Sequence, residues 1–82
     1  MDGYVGRYEL ASDFILTITK EHDRLYAQAT GQSQVELFAE TETQFFIIGV
    51  DAQITFMQDP QGHVKHLILY QAGQEITAPK LN

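Results

Sequence analysis

The chain predicts an all-β domain for itself, specifically a compact eight-stranded antiparallel up-and-down barrel. Two observations carry that expectation. Turn-forming residues recur roughly every ten positions, at Ala11-Ser12-Asp13, Glu21-His22-Asp23, Thr30-Gly31-Gln32, Thr41-Glu42-Thr43, Gly49-Val50-Asp51, Asp59-Pro60-Gln61-Gly62 and Ala72-Gly73-Gln74. Short strands at that spacing mark a β-sandwich or barrel. The segments between the turns alternate with period two and are rich in β-branched and aromatic residues, as half-buried strands require. Seven turns imply eight strands, and connections this short pair sequence neighbours antiparallel. Curling such a sheet until it closes removes its exposed edges.

The strands follow in order. The first, "YVGRYEL", sets Tyr4, Gly6, Tyr8 and Leu10 against Val5, Arg7 and Glu9. "FILTITK" sets Phe14, Leu16 and Ile18 against Ile15, Thr17 and Thr19, and "RLYAQAT" groups Leu25, Ala27 and Ala29. "VELFAE" aligns Val35, Leu37 and Ala39, a short strand carries Phe45, and "AQITFMQ" aligns Ala52, Ile54 and Phe56. "ITAPKL" closes the series. No segment predicts a helix. Ala27 to Ala39 is the best candidate, but Gly31 interrupts it and the apolar spacing is wrong.

The seventh strand needs a correction to its phase. In "DPQGHVKHLILYQAGQE" strict alternation mixes apolar and polar residues on both faces. One extra residue at Lys65-His66, a β-bulge, turns Val64, Leu67 and Leu69 inward together. At its start, Asp59 caps the turn, Pro60 presets φ and Gly62 tolerates positive φ. The bulge also turns His63 and His66 outward, beside Lys65.

The chemistry-bearing residues do not assemble into a site. His22, His63 and His66 lack the three or four converging ligands that a metal needs. Ser12 and Ser33 lie in turns, outside any Gly-x-Ser-x-Gly elbow and without a lysine three residues on. Glu40 and Glu42 solubilise a strand end, and "GYVG" lacks the spacing of a phosphate loop. Gly6, beside two tyrosines, permits a bend or close packing. The expectation is therefore a chain with no catalytic residues, no cofactor and no metal.

Composition narrows the partners. The 82 residues make one domain, spanning residues 1–82, and a chain this small buries only about two-thirds of its unfolded surface. Five basic residues against eleven acidic ones leave a net charge of −6, which repels phosphate backbones and anionic membranes. Neither nucleic-acid binding nor membrane insertion is expected. No apolar run approaches the roughly 20 residues of a spanning helix, and Met1-Asp2-Gly3 does not open a signal peptide. The absence of cysteine removes disulfides and thiolate sites but selects no compartment.

The order of these features resembles the small β domain at the C-terminus of many β-lactamase-like serine hydrolases, of the penicillin-binding or class C type. The resemblance covers essentially the whole chain. It rests on Tyr4-x-Gly6-x-Tyr8, the Phe45 segment, and Phe56 followed by Asp59-x-x-Gly62-x-Val64 and the Leu67/Leu69 pair. It implies a lipocalin-like barrel that accompanies a hydrolase domain of the same parent chain, helping assembly or shaping access to the active site. It also implies that the catalytic Ser-x-x-Lys lies in that other domain. Lys80 falls where the family often has a basic residue, and the role implied is strand termination or a surface contact.

Two expectations separate this reading from a stand-alone binder of a small apolar ligand. Tyr8, Phe14, Leu16, Leu25, Leu37, Phe45, Ile54, Phe56, Leu67 and Leu69 are expected to fill the interior, whereas a ligand binder would leave a void above about 300 Å³. On the outside, alternation leaves Phe38, Phe46, Ile48, Met57, Ile68 and Tyr70 pointing outward from neighbouring strands. That much apolar surface marks an interface with another domain or a second copy of the chain.

Overall fold

The alternation in the sequence becomes one continuous meander. The computed structural model describes residues 2–81; Met1 and Asn82, the ends of the expected domain, lie outside the described residues. A single 3₁₀ turn, Asp2–Tyr4, precedes eight strands: β1 (Gly6–Ala11), β2 (Phe14–Glu21), β3 (Arg24–Ala29), β4 (Val35–Ala39), β5 (Gln44–Phe46), β6 (Ala52–Gln58), β7 (Val64–Gln71) and β8 (Gln74–Pro79). Each pairs antiparallel with its neighbour in sequence order. The sheet then curls until its two edges meet. Tyr8 bridges Lys80, and the Leu81 amide donates to the Arg7 carbonyl at 2.7 Å. This is the all-β, nearly closed eight-stranded barrel that the turn spacing predicts.

The 3₁₀ turn differs from the expected strand start at Tyr4. Gly6 opens β1 at φ 154°, a backbone conformation that L side chains rarely adopt. The chain bends there, so the segment before it crosses the barrel end instead of extending β1.

The bulge in β7 sits where the apolar phase requires it. Met57 pairs with His66 and Gln58 with Val64, which leaves Lys65 as the extra residue. Val64, Leu67 and Leu69 are all buried as a result. The turn before it is held by Asp59. Its carbonyl accepts from the Gly62 amide at 2.9 Å, and its Oδ1 accepts from the amides of Gln61 and His63, both at 2.9 Å. Gly62 has φ 88°, the positive value that favours glycine at the end of such a turn.

The core is contiguous and uneven. Tyr8, Ile18, Leu25, Ile54, Phe56 and Leu67 are the largest fully buried side chains. Aromatic residues concentrate at one end. The Tyr4 ring stacks on Phe56 at 4.2 Å with the planes 5° apart, and Phe45 meets both rings edge-on. The Tyr8 hydroxyl donates to the Tyr4 carbonyl at 2.8 Å, and the Tyr4 hydroxyl donates to the Glu42 carbonyl at 2.5 Å. The 3₁₀ turn is thus a plug tied to β1 and to the loop between β4 and β5.

Candidate functional site

An up-and-down barrel sends successive turns to alternate ends. The turns after β1, β3, β5 and β7 lie at one end, and those after β2, β4 and β6 at the other. That rule sorts the reactive residues. Ser12 and Ser33 fall at the first end, while His22, His63, Glu40 and Glu42 fall at the second, plugged one. The two serines and these two histidines are separated by the length of the barrel. His66 lies on the outer face of β7 next to the bulge, also toward the plugged end.

At the plugged end the charged groups serve the turns. Asp59 Oδ2 lies 3.8 Å from both His63 Nδ1 and Lys65 Nζ. The backbone amide of His63 holds the Asp59 carboxyl below its ordinary range, helped by the Gln61 amide and by the nearby His63 and Lys65 side chains. The cluster brings together one carboxylate and one imidazole. Among the described residues, no group of three or more His, Asp or Glu converges in a way that could hold a metal ion. Burial raises the Tyr4 phenol, with Glu42 adding to the shift, and pushes Tyr8 up to about 12, so both are neutral donors at physiological pH. Lys80 closes the barrel through its backbone, and its Nζ donates to the Gly3 carbonyl at 3.2 Å, fastening the two terminal segments together.

The other end is different. A cavity of about 240 Å³ opens there, between the start of β4, the loop joining β5 to β6, and the inner faces of β2, β3 and β6. The filled interior expected from the sequence is therefore only half correct. Leu16, Ala27, Ala52, Ile54 and Leu69 form the buried walls, while Val35, Ile48 and Val50 make an exposed apolar lip. Phe14, expected in the interior, is half-buried and lines this mouth. The cause is residue size: the inward positions near this end of β3 and β6 are Ala27, Ala29 and Ala52. Three alanines at inward positions are visible in the sequence, and they were the available signal for a void.

The expected outer-face residues take varied positions. Phe38 and Phe46 are cross-strand partners with rings 5.8 Å apart, both half-buried. Ile68 is half-buried and Tyr70 exposed, both on β7, and exposed Met57 pairs with His66. On β6, Gln53 separates Phe46 from Tyr70, and Thr55 lies beside Ile68. The apolar rows expected to be contiguous are thus interrupted by two polar residues. Ile48 stands apart at the cavity lip.

Residues 1–80 match the family described as "Domain of unknown function (DUF3471)". The chain belongs to this family. It is also 38% identical over 74 residues to penicillin-binding protein 4* of Bacillus subtilis (strain 168). That match takes in 88% of this chain but 16% of the relative, so the chain corresponds to a small part of a much longer protein. No solved structure matches it. Among the described residues, no helix is long and apolar enough to cross a membrane.

Proposed function

We propose that the chain is a non-catalytic accessory barrel of a β-lactamase-like serine hydrolase, one that docks on the hydrolase domain and supports its packing, its assembly or access to its active site. The observation that carries this reading is the 38% identity to a segment amounting to 16% of a penicillin-binding protein. A segment that occupies so small a share of a longer protein fits an added module. The separation of Ser12 and Ser33 from His22 and His63 supports a role without chemistry of its own. The likeness to a compact lipocalin barrel belongs to the same proposal.

The docking face is the outer surface that bears Phe38, Phe46, Met57, Ile68 and Tyr70; Ile48, at the cavity lip, stands outside it. Met57 and Tyr70 are exposed on this face and the other three are half-buried, so docking would cover apolar surface here, with the acidic turns as a solvated rim. The rival reading, a stand-alone ligand binder, required a void above about 300 Å³. The cavity of about 240 Å³ falls short of that and leaves room only for a smaller molecule.

The test uses the reading frame that encodes this chain. The expected finding is a Ser-x-x-Lys hydrolase domain in it. Produced separately, that domain and this chain should associate in sedimentation velocity, and Phe46→Ser with Ile68→Ser should weaken the association at least tenfold with the far-UV spectrum unchanged. Saturable turnover of an ester or β-lactam by the chain itself, abolished by Ser12→Ala or Ser33→Ala, would overturn the proposal. So would a reading frame without a hydrolase.

A further inference from the structure

We infer that the open end of the barrel is a binding site for a small, neutral, largely apolar molecule of about six to ten heavy atoms. The inference rests on the cavity and does not depend on the accessory role.

Size sets the ligand class. A dry apolar cavity of about 150 Å³ suffices for benzene, and drug-sized ligands need about 300 Å³ or more. The cavity here, about 240 Å³, lies between the two. It suits one ring with a short substituent.

The lining sets the polarity. Of the fifteen residues around the cavity, twelve are apolar and none is charged. The polar three, Gln32, Ser33 and Gln71, belong to the turn after β3 and the last position of β7, at the mouth. A ligand would bury its apolar body and keep one hydroxyl or amide at the rim. An ionised ligand would lose hydration without finding a counter-charge. An anion would also meet a chain of net charge −6.

The walls are held in place. The Thr30 amide donates to the Ile15 carbonyl at 3.0 Å, and the Ile15 amide donates to Thr30 Oγ1 at 3.0 Å. Gln28 Nε2 donates to the Gln32 carbonyl at 3.1 Å. These bonds fix the β3 exit and the turn that carries Gln32 and Ser33. The opposite side is looser. The β4–β5 ladder ends at Phe38–Phe46, so Val35 and Ile48, which both line the mouth, lie beyond its last pair. A site with one pinned wall and one unladdered wall can admit a ligand without unfolding the barrel.

The experiment is a ¹H–¹⁵N titration of the chain with benzyl alcohol, with benzoate as the charged counterpart. Benzyl alcohol should saturate with a Kd of about a millimolar or tighter. The largest shifts should fall at Ala27, Ala29, Ala52 and Leu69, with benzoate at least tenfold weaker. Ala29→Leu, which fills the void, should weaken benzyl alcohol binding at least tenfold; Ala52→Val serves the same purpose if the leucine variant does not fold. Lack of saturation, equal binding of benzoate, shifts confined to the outer face, or undiminished binding in a folded cavity-filled variant would each overturn the inference. So would shifts at the mouth that follow protein concentration with no probe added, since a second copy of the chain would then be the occupant.

Discussion

Replacing Leu67 with alanine should destabilise the barrel far more than replacing its neighbour Ile68. Leu67 is fully buried and sits in the ladder between Phe56 and Ala78, themselves buried. Three carbons lost from this position forfeit about 2.4 kcal/mol of transfer free energy, at about 0.8 kcal/mol each. Ladder partners on both sides restrain collapse, so a residual cavity of about 60 Å³ would add about 1.5 kcal/mol. The total is about 4 kcal/mol, a large fraction of the roughly 4–12 kcal/mol expected for a domain of this length. Ile68 is half-buried on the outer face, between Thr55 and Thr77, and its truncation should cost about 1 kcal/mol. Urea unfolding followed by far-UV circular dichroism reads the difference directly. With a slope of about 1 kcal/mol per molar, the midpoints should fall by about 4 M and about 1 M, and a Leu67→Ala chain already unfolded in water agrees with the larger figure. Comparable losses at the two positions, or a larger loss at Ile68, would show that the bulge at Lys65 does not set the register.

Other outcomes follow from the turns and the plug. Ala72 and Gly73 both have positive φ, the two-residue hairpin geometry that favours Asn-Gly, so Ala72→Asn should stabilise the fold by about 0.5–1 kcal/mol in the same urea assay. The Asp59 carboxyl is held below its ordinary range, so its contribution is present above the unfolded value of 3.8 and is lost as pH falls through the lower folded value. Asp59→Asn keeps the oxygen acceptor and should flatten that part of the acid limb in thermal melts. Tyr8 is raised, so its contribution is intact below pH 10 and is lost as pH rises toward about 12. Tyr8→Phe leaves the Tyr4 carbonyl without its donor, should cost about 1–2 kcal/mol at neutral pH, and should remove this part of the alkaline decline.

The elements that sequence alone made legible are those fixed by local chemistry. The turn at Asp59–Gly62 needs only its own side-chain oxygen and a glycine with positive φ, and both are written in four residues. The β7 bulge was legible because Val64, Leu67 and Leu69 cannot share a face in a regular strand. Tyr4 was not. Its spacing from Tyr8 is as consistent with one strand face as with a turn folded under the barrel, and only the bend at Gly6 separates the two. The cavity was missed for a different reason. Interior volume is a sum over eight strands, and the small side chains at positions 27, 29 and 52 leave space only because the closure places them at the same end. Phe14 misled for the same reason, since an inward phase does not say how far from the mouth a residue lies.

The two ends of the barrel therefore divide the work of stability and recognition. Among the described residues, closure rests on the Tyr8–Lys80 bridge, the Leu81 amide on the Arg7 carbonyl and Lys80 Nζ on the Gly3 carbonyl, and the β4–β5 ladder is short. Such a barrel needs a rigid anchor, and the stacked Tyr4 and Phe56 with edge-on Phe45 supply it at the plugged end. With that end fixed, alanines and an unladdered seam are tolerable at the other, where local opening exposes little apolar surface and need not propagate through the core. The ligand-sized space belongs to the mouth lined by Val35, Ile48 and Val50. Docking through the outer face would leave that mouth accessible, so cavity occupancy and domain association can be altered by separate substitutions, Ala29→Leu for the first and Phe46→Ser with Ile68→Ser for the second.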